Sequence, residues 1–222
     1  MAIQVRDFES KDALLVAVEA LIRETLTRNA NGDFALMVSG GNTPLPVYAS
    51  IAAEPVPASP HAYLAFTDDR YVPVDSPESN YGNARAMIEA VGLSDRTLRI
   101  DPDLEIEACA AKYDADLAAF LGRGGAIPVA LLGLGADGHT CSLFNDTDLA
   151  RAENCLAAPA YKDSPPDRIT VSPRLLAQVD EIIFVVAGDD KAPMIDALLN
   201  APTTITAGKA VADCQSVSLW RA

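Results

Sequence analysis

Positive charge is scarce in this chain of 222 residues: 17 lysines and arginines stand against 31 aspartates and glutamates, a formal net charge of -14. That balance excludes a general nucleic-acid binder, which needs a basic face to neutralise backbone phosphates. It equally disfavours a protein lying on anionic membranes. A small anionic ligand stays admissible if a few cations and backbone N–H groups gather in one cleft. Histidine is scarcer still, with only His61 and His139. The four cysteines, Cys109, Cys141, Cys155 and Cys214, form no CxxC pair and no zinc-like spacing with histidine. Long hydrophobic runs are missing too: the longest, Ala126 to Ala136, is too short and too glycine-rich to span a membrane. The first residues, MAIQVRDFESKD, carry charges where a signal peptide needs an apolar stretch. Together with scattered thiols this predicts a cytoplasmic protein.

Half of the residues are hydrophobic, as expected of a folded enzyme. No internal repeat, low-complexity tract or linker interrupts them, and the proline patches at Glu54–Pro60 and Ser164–Pro166 are of loop length. One domain over residues 1–222 is expected. Apolar runs predict strands at Ile3–Phe8, Phe34–Val38, Ala62–Thr67, Pro128–Leu132 and Ile182–Val186, and the alternating tail Ser216–Trp220 reads as a closing strand. Between them, helical patterns follow Ser10, open at Thr43-Pro44, and cover Asn80–Val91, Leu104–Leu121 and Ala192–Leu199. Strand and helix alternate, which implies an α/β fold: a mostly parallel sheet with helices on both faces.

The polar clusters all follow predicted strands: Ser39-Gly40-Gly41-Asn42-Thr43, Asp68-Asp69-Arg70, Asp137-Gly138-His139-Thr140 and Lys191. The C-terminal edge of an open α/β sheet is where ligands bind, so these clusters are expected to share one rim. Gly40 and Gly41 near a helix start can present N–H groups to a phosphate. Arg168 and Lys191, after proline- and glycine-rich turns, are candidate phosphate anchors. His139 sits in a strand-to-helix turn beside a carboxylate and is the candidate general acid/base. Residues 133–138 match G-x-G-x-x-G, yet Asp137 stands where a pyrophosphate would approach, so the glycines are read as a sharp turn presenting Asp137 and His139. Cys141 and Ser142 lack a glycine elbow, and no His/Asp spacing supports a metal.

SGGNTP, FTDDRYVP, SNYGNAR, LLGLGADGHTCSLF, RITVSPRLL and GDDKAPMI occur in this order from about residue 35 to 200. In that order they resemble the 6-phosphogluconolactonase family. The resemblance implies a single modified Rossmann-like domain similar to glucosamine-6-phosphate deaminase, with no nucleotide, metal or other cofactor. It implies hydrolysis of a phosphorylated sugar lactone; the expected roles are His139 activating water, Asp137 orienting or electrostatically tuning the site, and Arg70 stabilising the carbonyl oxygen or binding ring hydroxyls. Gly40, Gly41, Asn42, Thr43, Asp68, Arg168 and Lys191 would hold the phosphate and sugar. The family more often reads Asp-Glu-Arg where Asp68-Asp69-Arg70 stands. A monomer or small homo-oligomer is expected, with neither nucleic acid nor membrane as partner. Two other readings stay open: an aldose–ketose isomerase or amino-sugar deaminase using Asp68 as its base, and a non-catalytic sugar-phosphate sensor.

Overall fold

The computed structural model describes residues 3–161 and 165–222. The first half of the chain runs β1 (Gln4–Asp7), α1 (Lys11–Thr27), β2 (Phe34–Val38), α2 (Leu45–Ala53), β3 (Ala62–Phe66), β4 (Asp68–Arg70), α3 (Asn80–Ala90), β5 (Thr97–Leu98) and α4 (Ile106–Gly122). The second half runs β6 (Ala126–Leu132), α5 (Asp146–Arg151), β7 (Ala157–Ala160), β8 (Arg168–Val171), α6 (Pro173–Leu176), β9 (Val179–Val186), α7 (Ala192–Asn200), α8 (Thr206–Ala210) and β10 (Val217–Arg221). Seven strands form one parallel sheet in the order β1-β10-β9-β6-β2-β3-β5. Among the described residues no helix is long and apolar enough to cross a membrane.

The continuous apolar runs are explained by burial on both faces. All five residues of β2 are buried; Phe34, Leu36 and Val38 point into one core, while Ala35 and Met37 point into the other. The first core is completed by α1, α2 and α3. On α1 the buried Leu14, Val18, Ile22 and Leu26 recur every four residues, and Ser10 caps the helix by accepting from the Ala13 N–H at 3.1 Å. The second core is closed mainly by α4, α7 and α8. Burial of this kind supplies roughly 25 cal/mol per Å² of apolar surface.

Strand order matters most for the site. From β2 the chain moves outward to β3, whereas from β6 it moves the other way to β9 and β10. The switch point therefore lies between β2 and β6, where the loops leaving the strand ends separate and open a crevice. Pro128 is accommodated inside β6 by a bulge. Phe34 pairs with Ala126 and Leu36 with Val129, so two residues of β6 face Ala35 alone.

Several boundaries depart from the sequence reading. Strand β6 begins two residues before Pro128, and the tail strand β10 is interior, between β9 and β1. Helix α2 starts at Leu45, with Pro44 at its N-cap position. Asp68-Asp69-Arg70, expected as a loop, is strand β4 of an unforeseen antiparallel sheet ordered β4-β8-β7. In the Ser164–Pro166 patch, Ser164 lies outside the described residues.

Two buried polar groups tie these layers together. The Tyr113 hydroxyl on α4 donates to the Phe66 carbonyl at 2.6 Å and accepts from its N–H at 3.1 Å, at the end of β3. Asp69 accepts from the N–H groups of Arg70, Asn80 and Tyr81, joining β4 to the start of α3. Burial lifts the Asp69 carboxyl to about 6, against the pull of those three donors. Tyr113→Phe should lower the unfolding free energy by about 1–3 kcal/mol in urea titration. For Asp69 the folded value lies above the ordinary 3.8, so the unfolded chain releases this proton first as pH rises. The wild type should therefore lose stability relative to Asp69→Asn from pH 4 to pH 6, and the difference should level off above that. A difference that stays constant across the window would mean that Asp69 ionises normally.

Candidate active site

Two adjoining chambers occupy the crevice at the switch point. The larger, about 290 Å³, is edged by Ser39–Pro44 after β2, Gly133 and Leu134 after β6, and Lys191 before α7. Its floor is apolar, from Leu15 and Val18 of α1 and Leu131, Val185 and Val186 of the sheet. The smaller, about 180 Å³, is lined by Asp68, Arg70, Asn80, Gly135, His139 and Cys141. Ser39, Gly40, Gly41, Gly133 and Leu134 belong to both walls.

His139 is delivered by a loop folded back on itself. The Gly135 N–H donates to the His139 carbonyl at 2.8 Å, and the Thr140 hydroxyl to the Gly133 carbonyl at 2.8 Å. Gly138 has φ +84°, and a β-carbon there would strike Ile205 at 2.9 Å. Its carbonyl accepts from the Ala207 N–H at 2.8 Å, so α8 supports the loop from behind. A β-carbon on Gly135 would lie 2.2 Å from His139 Nδ1 and 2.5 Å from Asp137 Oδ1, so only glycine leaves room for this pair.

The pair itself is a contact of 2.5 Å between His139 Nδ1 and Asp137 Oδ1. Partial burial raises the Asp137 carboxyl, but the hydrogen bond and charge of His139 outweigh it, and the net shift is downward. An ionised carboxylate only accepts, so Nδ1 carries a proton, which in the neutral ring leaves the lone pair on Nε2. The ring also packs against Phe144, centroids 4.7 Å apart.

Asp68 is 8% exposed, and its carboxylate accepts from the Ser142 hydroxyl at 2.7 Å and the Thr67 hydroxyl at 3.2 Å. Ser142 is thereby committed and buried at 1% exposure, which suits a structural role better than a nucleophilic one. Burial pushes the Cys141 thiol well above its ordinary range, so it holds its proton. The Arg70 Nη1 donates to the Glu78 carbonyl at 3.0 Å and to Asn80 Oδ1 at 2.5 Å. Its buried Nε–H has no hydrogen-bond partner among the described residues.

Of the residues singled out in the sequence, Gly40, Gly41, Asn42, Thr43, Lys191, Asp68, Arg70 and His139 meet on the chamber walls. Asp137 lines neither chamber and reaches the site through His139. Arg168 is on neither wall. It stands opposite Arg70 in the β4–β8 register and donates to the Pro166 carbonyl at 2.7 Å. Burial, then the nearby Arg70 charge, pull its guanidinium below the ordinary value. Asn80 was missed; a polar residue at a helix start reads as a cap, although Ser79 holds that position. Among the described residues no group of three or more His, Cys, Asp or Glu side chains could hold a metal ion.

The sequence and the fold have counterparts among known proteins. Residues 9–220 match the family described as glucosamine-6-phosphate isomerases/6-phosphogluconolactonase. The 6-phosphogluconolactonase of a Nostoc strain is 34% identical over 193 residues, covering 84% of this chain and 77% of that one. The human 6-phosphogluconolactonase is 33% identical over 207 residues, covering 86% and 80%. In fold, the solved 6-phosphogluconolactonase of Leishmania guyanensis superimposes with a TM-score of 0.85 at 22% identity, over 100% of this chain and 96% of that one. A monomeric glucosamine-6-phosphate deaminase superimposes with a TM-score of 0.76 at 15% identity, over 99% and 97%. By both the span matched and the relatives' identity, this chain belongs to the glucosamine-6-phosphate isomerase/6-phosphogluconolactonase family.

Proposed function

We propose that this protein hydrolyses 6-phospho-D-glucono-1,5-lactone to 6-phospho-D-gluconate in the oxidative pentose phosphate pathway. The observation that carries this is the Asp137–His139 pair beside a chamber built for an anion. Helices α2 and α7 both begin at the larger chamber, with Pro44 and Lys191 at their N-cap positions. A helix N-terminus favours a nearby anion by about 0.3–1 kcal/mol. Those ends, the Lys191 ammonium and the Gly40–Thr43 backbone together receive the 6-phosphate. The sugar ring then extends toward His139, and Arg168 adds positive potential behind Arg70.

In the reaction His139 Nε2 takes a proton from water as its oxygen attacks C1 of the lactone. Negative charge develops on the carbonyl oxygen, for which Arg70 is the stabilising cation. The C1–O5 bond then breaks, and the imidazolium returns its proton to O5. Asp137 keeps the ring in the reactive tautomer and stabilises the transient imidazolium. Asp68 already accepts two hydroxyls, which favours a positioning role over that of a base at C2. The four free cysteines fit a reducing, cytoplasmic setting, and the reading requires no more than a monomer or small homo-oligomer.

Lactone generated by glucose-6-phosphate dehydrogenase should yield 6-phosphogluconate faster with the protein than spontaneously. His139→Asn should reduce kcat by about 10²–10⁴-fold while leaving 6-phosphogluconate binding nearly intact. Near-normal turnover in that variant would sink the general-base assignment. Gly135→Ala should fold yet lose about 10²-fold in kcat, because the new methyl displaces the imidazole. Ammonia release from glucosamine 6-phosphate would instead favour the deaminase reading.

A further inference from the structure

Arg70 follows two acids on β4 and forms an ion pair with neither. Asp68 and Asp69 precede it on β4, and the Glu78 carbonyl is among its partners. No ion pair among the described residues includes Arg70. The neighbouring carboxylates are engaged by neutral donors: Asp69 by three backbone N–H groups, Asp68 by two hydroxyls. The guanidinium in turn is held by neutral acceptors, the Glu78 carbonyl and Asn80 Oδ1.

Asn80 is 2% exposed and is the hub of this arrangement. Its Nδ2 donates to the Asp68 carbonyl at 2.9 Å. Its amide fills the space over Gly40, where a β-carbon would fall 1.8–2.5 Å from the amide atoms. One side chain is thus wedged between the glycine loop after β2, the backbone of β4 and Arg70. Its two ends differ: one must accept and the other must donate, which an amide does and a carboxylate does not.

We propose that Asn80 is a neutral tether, a positioning residue that aims Arg70 at the bound sugar phosphate without neutralising it. This rests on the reading above, in which Arg70 faces C1 of the ligand, where charge develops in the reaction and where 6-phosphogluconate carries its carboxylate. Aspartate at position 80 would preserve shape and the bond to Arg70, but would divide the guanidinium's charge and set an oxygen against the Asp68 carbonyl. Charge and shape therefore make opposite predictions for one isosteric substitution.

The test compares wild type with Asn80→Asp, Asn80→Ala and Asn80→Ser, by calorimetric titration with 6-phosphogluconate and by kcat and KM for the lactone. Asn80→Asp should weaken 6-phosphogluconate binding and raise KM by about tenfold or more. Asn80→Ala and Asn80→Ser should keep both within about threefold and lose kcat instead. Asn80→Asp binding as well as Asn80→Ala, or better, would overturn the proposal, since a charge beside Arg70 would then cost the ligand nothing. If Asn80→Asp does not fold, Asn80→Ser decides, and a tenfold loss of affinity there overturns it. Wild type that binds 6-phosphogluconate without hydrolysing the lactone refutes the lactonase reading and leaves the tether to be judged by titration. Wild type that does neither overturns both.

Discussion

Four parallel strands, β9, β6, β2 and β3, lie side by side, so their C-terminal ends must deliver their loops to one edge. Everything functional in this molecule depends on that constraint. The loops after β2 and β6 diverge because the chain winds away from the middle of the sheet in both directions. The crevice between them needs no insertion or second domain. It only needs loops whose backbones approach closely, which explains why Gly40 and Gly135 bear hydrogen where a methyl would collide with Asn80 and His139.

The second constraint is electrostatic. A chain with a net charge of -14 repels the anionic ligand proposed for its site. The crevice overcomes this locally, by placing two helix starts, Lys191 and Arg70 around the ligand space and by occupying nearby carboxylates with neutral donors. Asp190 and Asp137 are the exceptions: Asp190 lies 3.6 Å from the Lys191 ammonium, and Asp137 pairs with His139. Asp137 stays charged and exposed, and its carboxylate holds the Nδ1 side of the His139 ring.

What was legible in the sequence follows from how strongly each element writes itself in residues. Strands buried on both faces are continuous apolar runs, and they stop where the polar loops begin, so the rim could be read directly. The small sheet could not. Strand β4 is the charged Asp68-Asp69-Arg70, and β7 is Ala157–Ala160 with a proline inside, so neither shows an alternating pattern. Their pairing is set by tertiary packing. The same holds for Arg168, whose place opposite Arg70 follows from antiparallel register. The role of Asn80 was hidden because its partners are separated from it by ten residues or more, and no local spacing announces them.

The outer edge of the main sheet carries a consequence for biosynthesis. Among the described residues strand β1 pairs only with β10, so β1 waits during synthesis until Val217–Arg221 has followed. The support behind His139 also comes late, from Ile205 and Ala207. Translation must therefore pass Ala207 before the loop of His139 acquires its support. A product that stops short of Ile205 lacks that support, because His139 lies upstream of the residues that hold its loop still.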